Sequence, residues 1–218
     1  MVFTALFNGN ISETFWRTSS DNVLRKYSYS YDHLNRLLEA VYEKSGVVTK
    51  MYNEGLSYDK NGNINTLVRT GDYDAQMGAI VIDKLNYKYL PNSNKLMGVF
   101  DGTNNSSGFN DANNAIDDYD YDNNGNMTVD KNKDINNITY NHLNLPTKIL
   151  FGNSNYITYL YTASGQKMEK RVYENNDRTT TDYINGFQYK TLPSGDGGLV
   201  FFPHAEGYVN VNKSYKLT

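Results

Sequence analysis

The chain of 218 residues has no cysteine, four prolines, and no stretch of apolar residues approaching the length of a membrane span. Without cysteine there are no disulfides, no thiolate nucleophile and no cysteine zinc site. The compartment stays open, because export does not require disulfides. The 21 basic residues fall short of the 24 acidic ones, for a net charge of −3, so no basic footprint points to nucleic acid. The opening "MVFTALF" is too short for a signal peptide and lacks a basic start. If the protein is exported, the expectation is that its signal lies outside this chain or is of another kind.

Catalytic motifs are also missing. There is no Gly-x-Ser-x-Gly, no Gly-Lys-Ser/Thr phosphate loop and no His-Glu-x-x-His. Scattered carboxylates show no spacing that selects an acid–base pair. The reading is of a protein that is not an enzyme and has no cofactor.

Tyrosine is abundant instead, with 20 residues, alongside 17 glycines. A Tyr-, Asn- and Thr-rich chain favours strands and tight turns. Six segments repeat one pattern: "YSYDHLNRL" from Tyr29, "LSYDKNGNI" from Leu56, "YKYLPNSNKL" from Tyr87, "YDYDNNGNM" from Tyr119, "ITYNHLNLP" from Ile138 and "YLYTASGQKM" from Tyr159. In each, an apolar or aromatic residue stands two before a second aromatic, so both share one face of a strand. The second aromatics are Tyr31, Tyr58, Tyr89, Tyr121, Tyr140 and Tyr161.

Four residues after the aromatic come Asn35, Gly62, Gly125, Asn144 and Gly165. These residue types tolerate positive φ, which a hairpin built on a type I turn plus a left-handed residue requires. The copy containing Pro91 reaches Asn94 one residue late, which predicts a longer loop. Asp32, Asp59 and Asp122 follow the tyrosine and suit a turn start. Leu37, Ile64, Leu96 and Met127 then re-enter a strand. Asn8-Gly9-Asn10-Ile11 reads as the second half of a truncated earlier copy.

The unit is therefore strand, turn, strand. Hairpins are expected near 29–42, 56–69, 87–100, 119–130, 138–151, 159–173 and 183–202, within an array over 1–210 followed by a tail at 211–218. The second aromatics are spaced by 27, 31, 32, 19 and 21 residues, so the long units carry insertions at 43–55, 70–84 and 98–116. The last insertion is rich in Asn, Gly and Ser and reads as an exposed loop. Seven hairpins give about 14 strands, on the order of 65 Å of sheet at roughly 4.8 Å per strand. Open edges of such a sheet invite pairing with another chain.

These segments resemble the YDxxGRL-type repeat of bacterial RHS/YD-repeat proteins, nearest to those of the Bacteroidetes type. "YNHLNLPTKI", "DYINGFQY" and "FFPHAEGYV" are similar to segments that follow the repeats there. The resemblance covers residues 8 to 210. It implies an all-β fold of consecutive antiparallel hairpins in a curved, spiralling sheet, part of an RHS-type shell. It also implies a structural role, encapsulating or scaffolding a toxin or partner in competition between bacteria, at the cell surface or after secretion. The partners implied are other shell segments or a toxin cargo. Self-association through sheet edges and a glycan partner remain open, and neither nucleic acid nor a membrane span is expected. The Asp-Pro pair used by self-cleaving relatives is missing: every proline follows Leu or Phe. The core segment and toxin domain of complete relatives are not among these 218 residues.

Other residues carry more than one reading. His33 and His142 hold the same slot of the repeat and read as turn residues, and His204 as a polar loop residue. The tyrosine stripes read as cross-strand packing, with an exposed carbohydrate- or protein-binding platform as the alternative. Trp16 lies outside the stripe and could cap the N-terminal edge or mark a contact. Asp120-x-Asp122-x-Asn124-Gly125 matches the opening of a calcium loop, but its twelfth position is Lys131 instead of a bidentate acid. Asp122 and Gly125 belong to the hairpin pattern. Asp117, Asp118 and Asp120 are extra, and with Asp122 they form a weak calcium candidate.

Overall fold

Alternation in segments such as Arg25–Tyr31, "RKYSYSY", puts Tyr on one side of the backbone and Ser on the other, which is the pattern of a strand with two unlike faces. The computed structural model describes residues 6–74, 78–112 and 117–211, and in them this pattern dominates. The chain is all-β and antiparallel, and it divides into two units, 1–118 and 119–218.

The first unit holds an eight-stranded sheet: β1 (Glu13–Trp16), β2 (Arg25–Tyr31), β3 (Leu37–Lys44), β4 (Val47–Val48), β5 (Glu54–Tyr58), β6 (Ile64–Asp74), β7 (Gly78–Tyr89) and β8 (Leu96–Asp101). The order is β1-β2-β3-β5-β6-β7-β8, with the short β4 folded back on β3. Cross-strand rows show the two faces. Leu56, Leu67 and Leu85 lie side by side on one, and Ser57, Thr66 and Asn86 on the other. The apolar rows include Ala40, Tyr42, Leu85 and Val99, all buried.

The second unit holds a ten-stranded sheet in strict sequence order: β9 (Tyr119–Tyr121), β10 (Met127–Asp130), β11 (Ile135–Tyr140), β12 (Pro146–Phe151), β13 (Tyr156–Tyr161), β14 (Lys167–Glu174), β15 (Asp177–Ile184), β16 (Phe187–Thr191), β17 (Gly197–His204) and β18 (Gly207–Asn210). Ile138, Ile149, Ile157 and Val172 form one apolar row, while Lys148, Thr158, Arg171 and Thr180 form a polar row on the opposite face. Few side chains are fully buried, so cross-strand pairs and turn chemistry carry much of the stability.

The structure departs from the sequence expectation in three places. The strands fall into two sheets and exceed fourteen, because short two-residue turns such as Ser45-Gly46 and Asn175-Asn176 add hairpins that the repeat pattern does not mark. The insertion at 70–84 is built largely of strand, because β6 runs to Asp74 and β7 starts at Gly78. The stretch 98–116 is not simply exposed: Asp101 and Asp111 are buried. The expected tail, 211–218, lies outside the described residues after position 211.

Candidate functional site

The repeated turns share one construction. The Asp32 amide donates to the Arg36 carbonyl (2.9 Å), and the Asn35 amide donates to the Asp32 carbonyl (3.0 Å), with Asn35 at φ +63°. This is a type I turn closed by a left-handed residue. The same pair of bonds recurs at 59–63, 122–126, 141–145 and 162–166, with φ of +91° at Gly62, +86° at Gly125, +57° at Asn144 and +86° at Gly165. The extra residue forces a register shift beside Tyr31, Tyr58, Tyr89, Tyr140 and Tyr161. The longer turn after Tyr89 places its left-handed residue at Asn92 (φ +56°), not at Asn94.

Asp at the turn start forms an Asx turn. Asp122 Oδ1 accepts from the Asn124 and Asn126 amides (2.9 and 2.8 Å), and its Oδ2 accepts from Asn126 Nδ2 (2.9 Å). Asp59 does the same with Asn61 and Asn63. Asp32 holds the Leu34 and Arg36 amides and the Arg36 Nε (2.6 Å). These donors hold all three carboxyls below the usual carboxylate range, led by the Arg36 amide for Asp32 and by the side chains of Asn63 and Asn126 for the other two.

Two ladders join neighbouring turns within each sheet. In the first, the second aromatic of a repeat donates its hydroxyl to the carbonyl two residues after the left-handed position of the repeat before. Tyr31 bonds Ile11 (3.0 Å), Tyr58 bonds Leu37 (2.8 Å), Tyr89 bonds Ile64 (2.8 Å), Tyr140 bonds Met127 (2.6 Å) and Tyr161 bonds Pro146 (3.1 Å). Burial pushes the Tyr58, Tyr89, Tyr140 and Tyr161 hydroxyls up from their ordinary pKa, as it does for Tyr121.

In the second ladder, two amides flanking the left-handed residue close on one oxygen of the next turn. Asn8 and Asn10 donate to Asn35 Oδ1, Asn61 and Asn63 to Asn94 Oδ1, and Asn124 and Asn126 to Asn144 Oδ1. Gly9, at φ +89°, stands where Gly62 and Gly125 stand, so Asn8–Ile11 fills the role of a preceding turn in both ladders. Elsewhere the chemistry changes but the contact remains. Arg36 Nη1 donates to the Asp59 carbonyl (2.9 Å), with its guanidinium 4.7 Å from the Tyr58 ring centre. A Cβ at Gly165 would lie 3.2 Å from Leu145 Cδ1, so an apolar pair closes over that turn.

The other sequence candidates play smaller parts. His33 and His142 are exposed at turn positions, and His204 is exposed with Nδ1 accepting from the Glu206 amide. Trp16 stacks on Tyr27 (5.6 Å between centres), extending an aromatic row through Tyr42 to Tyr52. Of the calcium candidates, Asp122 is engaged by its turn, Asp118 is buried and accepts from the Val99 amide, and Asp117 and Asp120 are exposed. Among the described residues, no three His, Asp or Glu side chains are placed to hold a metal ion. Nor is any helix long and apolar enough to cross a membrane.

Sequence reasoning missed two turns of the same construction, at 151–155 and 192–196. Ser154 holds the left-handed position of the first at φ +67°, and serine gives no sequence signal for it. Gly195 in "LPSGDG" was a usable signal for the second.

No family model and no curated protein matches the chain. Solved structures do. A chain of the Photorhabdus luminescens Tc holotoxin pore, carrying a TccC3 point mutation, aligns with TM-score 0.50 and 12% identity over 87% of this chain and 11% of that one. A chain of the TcdB2–TccC3 crystal structure aligns with TM-score 0.47 and 12% identity, over 89% and 11%. The present chain thus spans about a tenth of those chains. The first likeness is one of fold and supports an RHS-like array of antiparallel hairpins; it does not single out the Bacteroidetes type.

Proposed function

We propose that the chain is a non-enzymatic structural module, a panel of an RHS-type shell that encapsulates or scaffolds a toxin or partner. The observation that carries this reading is the double ladder. In five of the six repeats the tyrosine hydroxyl, and at three junctions a pair of turn amides, fastens one hairpin to its neighbour. That is the chemistry of a wall, in which stability passes between neighbours. The fold likeness to a chain of the Tc holotoxin pore supports it, as that neighbour belongs to a toxin assembly. Secretion and a part in competition between bacteria belong to the same reading.

Electron microscopy of the full polypeptide from its native gene tests the proposal. A hollow particle with this segment in its wall is expected, together with protease resistance of any enclosed segment. A solid particle with no interior would overturn it.

One observation favours a binding module as second reading. A surface cavity of about 350 Å³ in the second unit is lined by Asn153, Asn155 and the stacked Tyr156 and Tyr173, with Lys133, Asp134 and Glu174 at its charged side. Aromatic rings beside amides and charged groups offer a glycan both stacking and hydrogen bonds. Glycan-array binding that is lost in Tyr173→Ala would move the assignment to this reading.

A further inference from the structure

Asn-Gly pairs stand at 8–9, 61–62, 124–125 and 185–186. Asparagine is among the thermolabile residues, and a following glycine leaves the backbone nitrogen beside its side-chain carbonyl unshielded. All four asparagines are exposed, so exposure does not separate them. Their hydrogen bonds do.

Three of the pairs lie in the turn ladder. Asn61 Nδ2 donates to Asn94 Oδ1 (3.1 Å), and Asn124 Nδ2 donates to Asn144 Oδ1 (3.2 Å). The Gly62 and Gly125 amides that follow them donate to the Asp59 and Asp122 carbonyls (3.3 and 3.1 Å). Asn8 is held at both ends of its side chain: Nδ2 donates to Asn35 Oδ1 (2.6 Å), and Oδ1 accepts from the Asn10 amide (3.1 Å). The fourth pair is different. Asn185-Gly186 is the whole turn between β15 and β16, closed by the Ile184–Phe187 pair. Both residues are left-handed, at φ +50° and +87°, as a two-residue hairpin turn of this type requires. Among the described residues, nothing bonds the Asn185 side chain or accepts from the Gly186 amide.

We infer that Asn185 is a site of self-modification, at which the folded chain reacts with water to give aspartyl and isoaspartyl forms. The Gly186 nitrogen loses its proton to hydroxide and attacks Asn185 Cγ. A C–N bond forms, the Cγ–Nδ2 bond breaks, and ammonia leaves with a proton taken from water. Water then opens the cyclic imide at either of its carbonyl carbons, giving an aspartyl or an isoaspartyl residue. No oxidant or reductant takes part. The ladder-held pairs resist, because the side chain, and at Gly62 and Gly125 the attacking nitrogen as well, must first leave its partner. The product carries a new carboxylate, and its isoaspartyl form lengthens the backbone inside a two-residue turn. Gly186 already stands close to Pro203 there: a Cβ on it would lie 3.1 Å from Pro203 Cγ.

Peptide mapping by mass spectrometry tests this on the whole unmodified chain, kept folded at mildly alkaline pH. Asn185 should convert about tenfold faster than Asn8, Asn61 or Asn124, the scale set by hydrogen bonds that must break before reaction. In denaturing urea the four rates should converge, since the ladder is gone. Asn144→Gly removes the oxygen that holds Asn124 and leaves a residue suited to the φ of +57° at that position. It should speed conversion at Asn124 and leave Asn185 unchanged. No conversion at Asn185, equal rates at the four pairs in the folded chain, or a ranking that persists in urea would each overturn the inference. So would an Asn124 rate that a folded Asn144→Gly variant leaves untouched. The comparison of folded and urea-unfolded parent decides the matter even where that variant does not fold.

Discussion

The hydroxyl of Tyr58 donates to the carbonyl of Leu37 across 2.8 Å, joining residues 21 apart in the chain. Leu37 is the first residue of β3 after its turn, where the bulge leaves a carbonyl beside the ladder. Tyr58 is the last residue of β5 before the next turn. The bond thus ties the exit of one hairpin to the entrance of the next. A phenylalanine would fill the same space without making it, which explains why the repeat uses tyrosine.

Tyr58→Phe and Tyr140→Phe each delete one such bond without removing the ring. Each should lower stability by about 0.5–1.5 kcal/mol, the net worth of a hydrogen bond in a folded protein. The two lie in different sheets, so their effects should add. Urea denaturation of the single and double variants measures both effects. A variant as stable as the parent would show that the hydroxyl contributes nothing.

Gly62 and Gly125 sit at φ of +91° and +86°. A β-branched side chain is strained there, so Gly62→Val or Gly125→Val should cost about 1–3 kcal/mol. Asn at either position should cost less, because Asn35 and Asn144 already hold the equivalent conformation. The ranking Gly, Asn, Val in thermal melting checks the turn geometry.

The turn chemistry was legible because it is local. Tyr-Asp followed by Asn or Gly four residues after the tyrosine fixes a turn whatever surrounds it. The long strands β6 and β7 were not legible. Their pairing shifts register between Arg69 and Thr70 and again before Tyr73, and each shift breaks the alternation on which a strand is recognised. Asp101 and Asp111 misled for another reason. Acids among Asn, Gly and Ser look like solvent-exposed loop, and only the fold shows that Asp101 accepts from the Lys84 amide of β7 and Asp111 from the Asp101 amide. The ladders were hidden too, since a single repeat contains only one half of each bond.

Acid should loosen the turns. Asp32, Asp59 and Asp122 have folded pKa values below the usual carboxylate value of about 3.9. Their contribution to stability is fully present above that value and is lost as pH falls through the lowered folded values. Stability should therefore rise with pH across that window, since the unfolded chain binds more protons. Asp59→Asn and Asp122→Asn should flatten this acid limb and leave the neutral region less affected. Denaturation midpoints measured from neutral pH down to below the carboxylate range test the slope.

Gly108 should tolerate no side chain at all. A Cβ there would lie 2.0 Å from the Ile82 carbonyl oxygen and 2.5 Å from Asp83 Oδ1. The first obstacle is backbone and the second is a fully buried carboxylate held by Arg69, so neither can step aside cheaply. Gly108→Ala should therefore lift the connection off β7 and break the Phe109 amide bond to Asp83. Overpacking of this kind costs about 1–3 kcal/mol, and an Asp83 left with one donor fewer adds to it. Gly55→Ala is the matched control, because a Cβ there meets nothing within 4 Å and the residue lies in a strand. Exchange of the Phe109 amide should accelerate in Gly108→Ala and stay unchanged in Gly55→Ala. Equal behaviour of the two variants would mean that the close approach of this connection to β7 does not hold it in place.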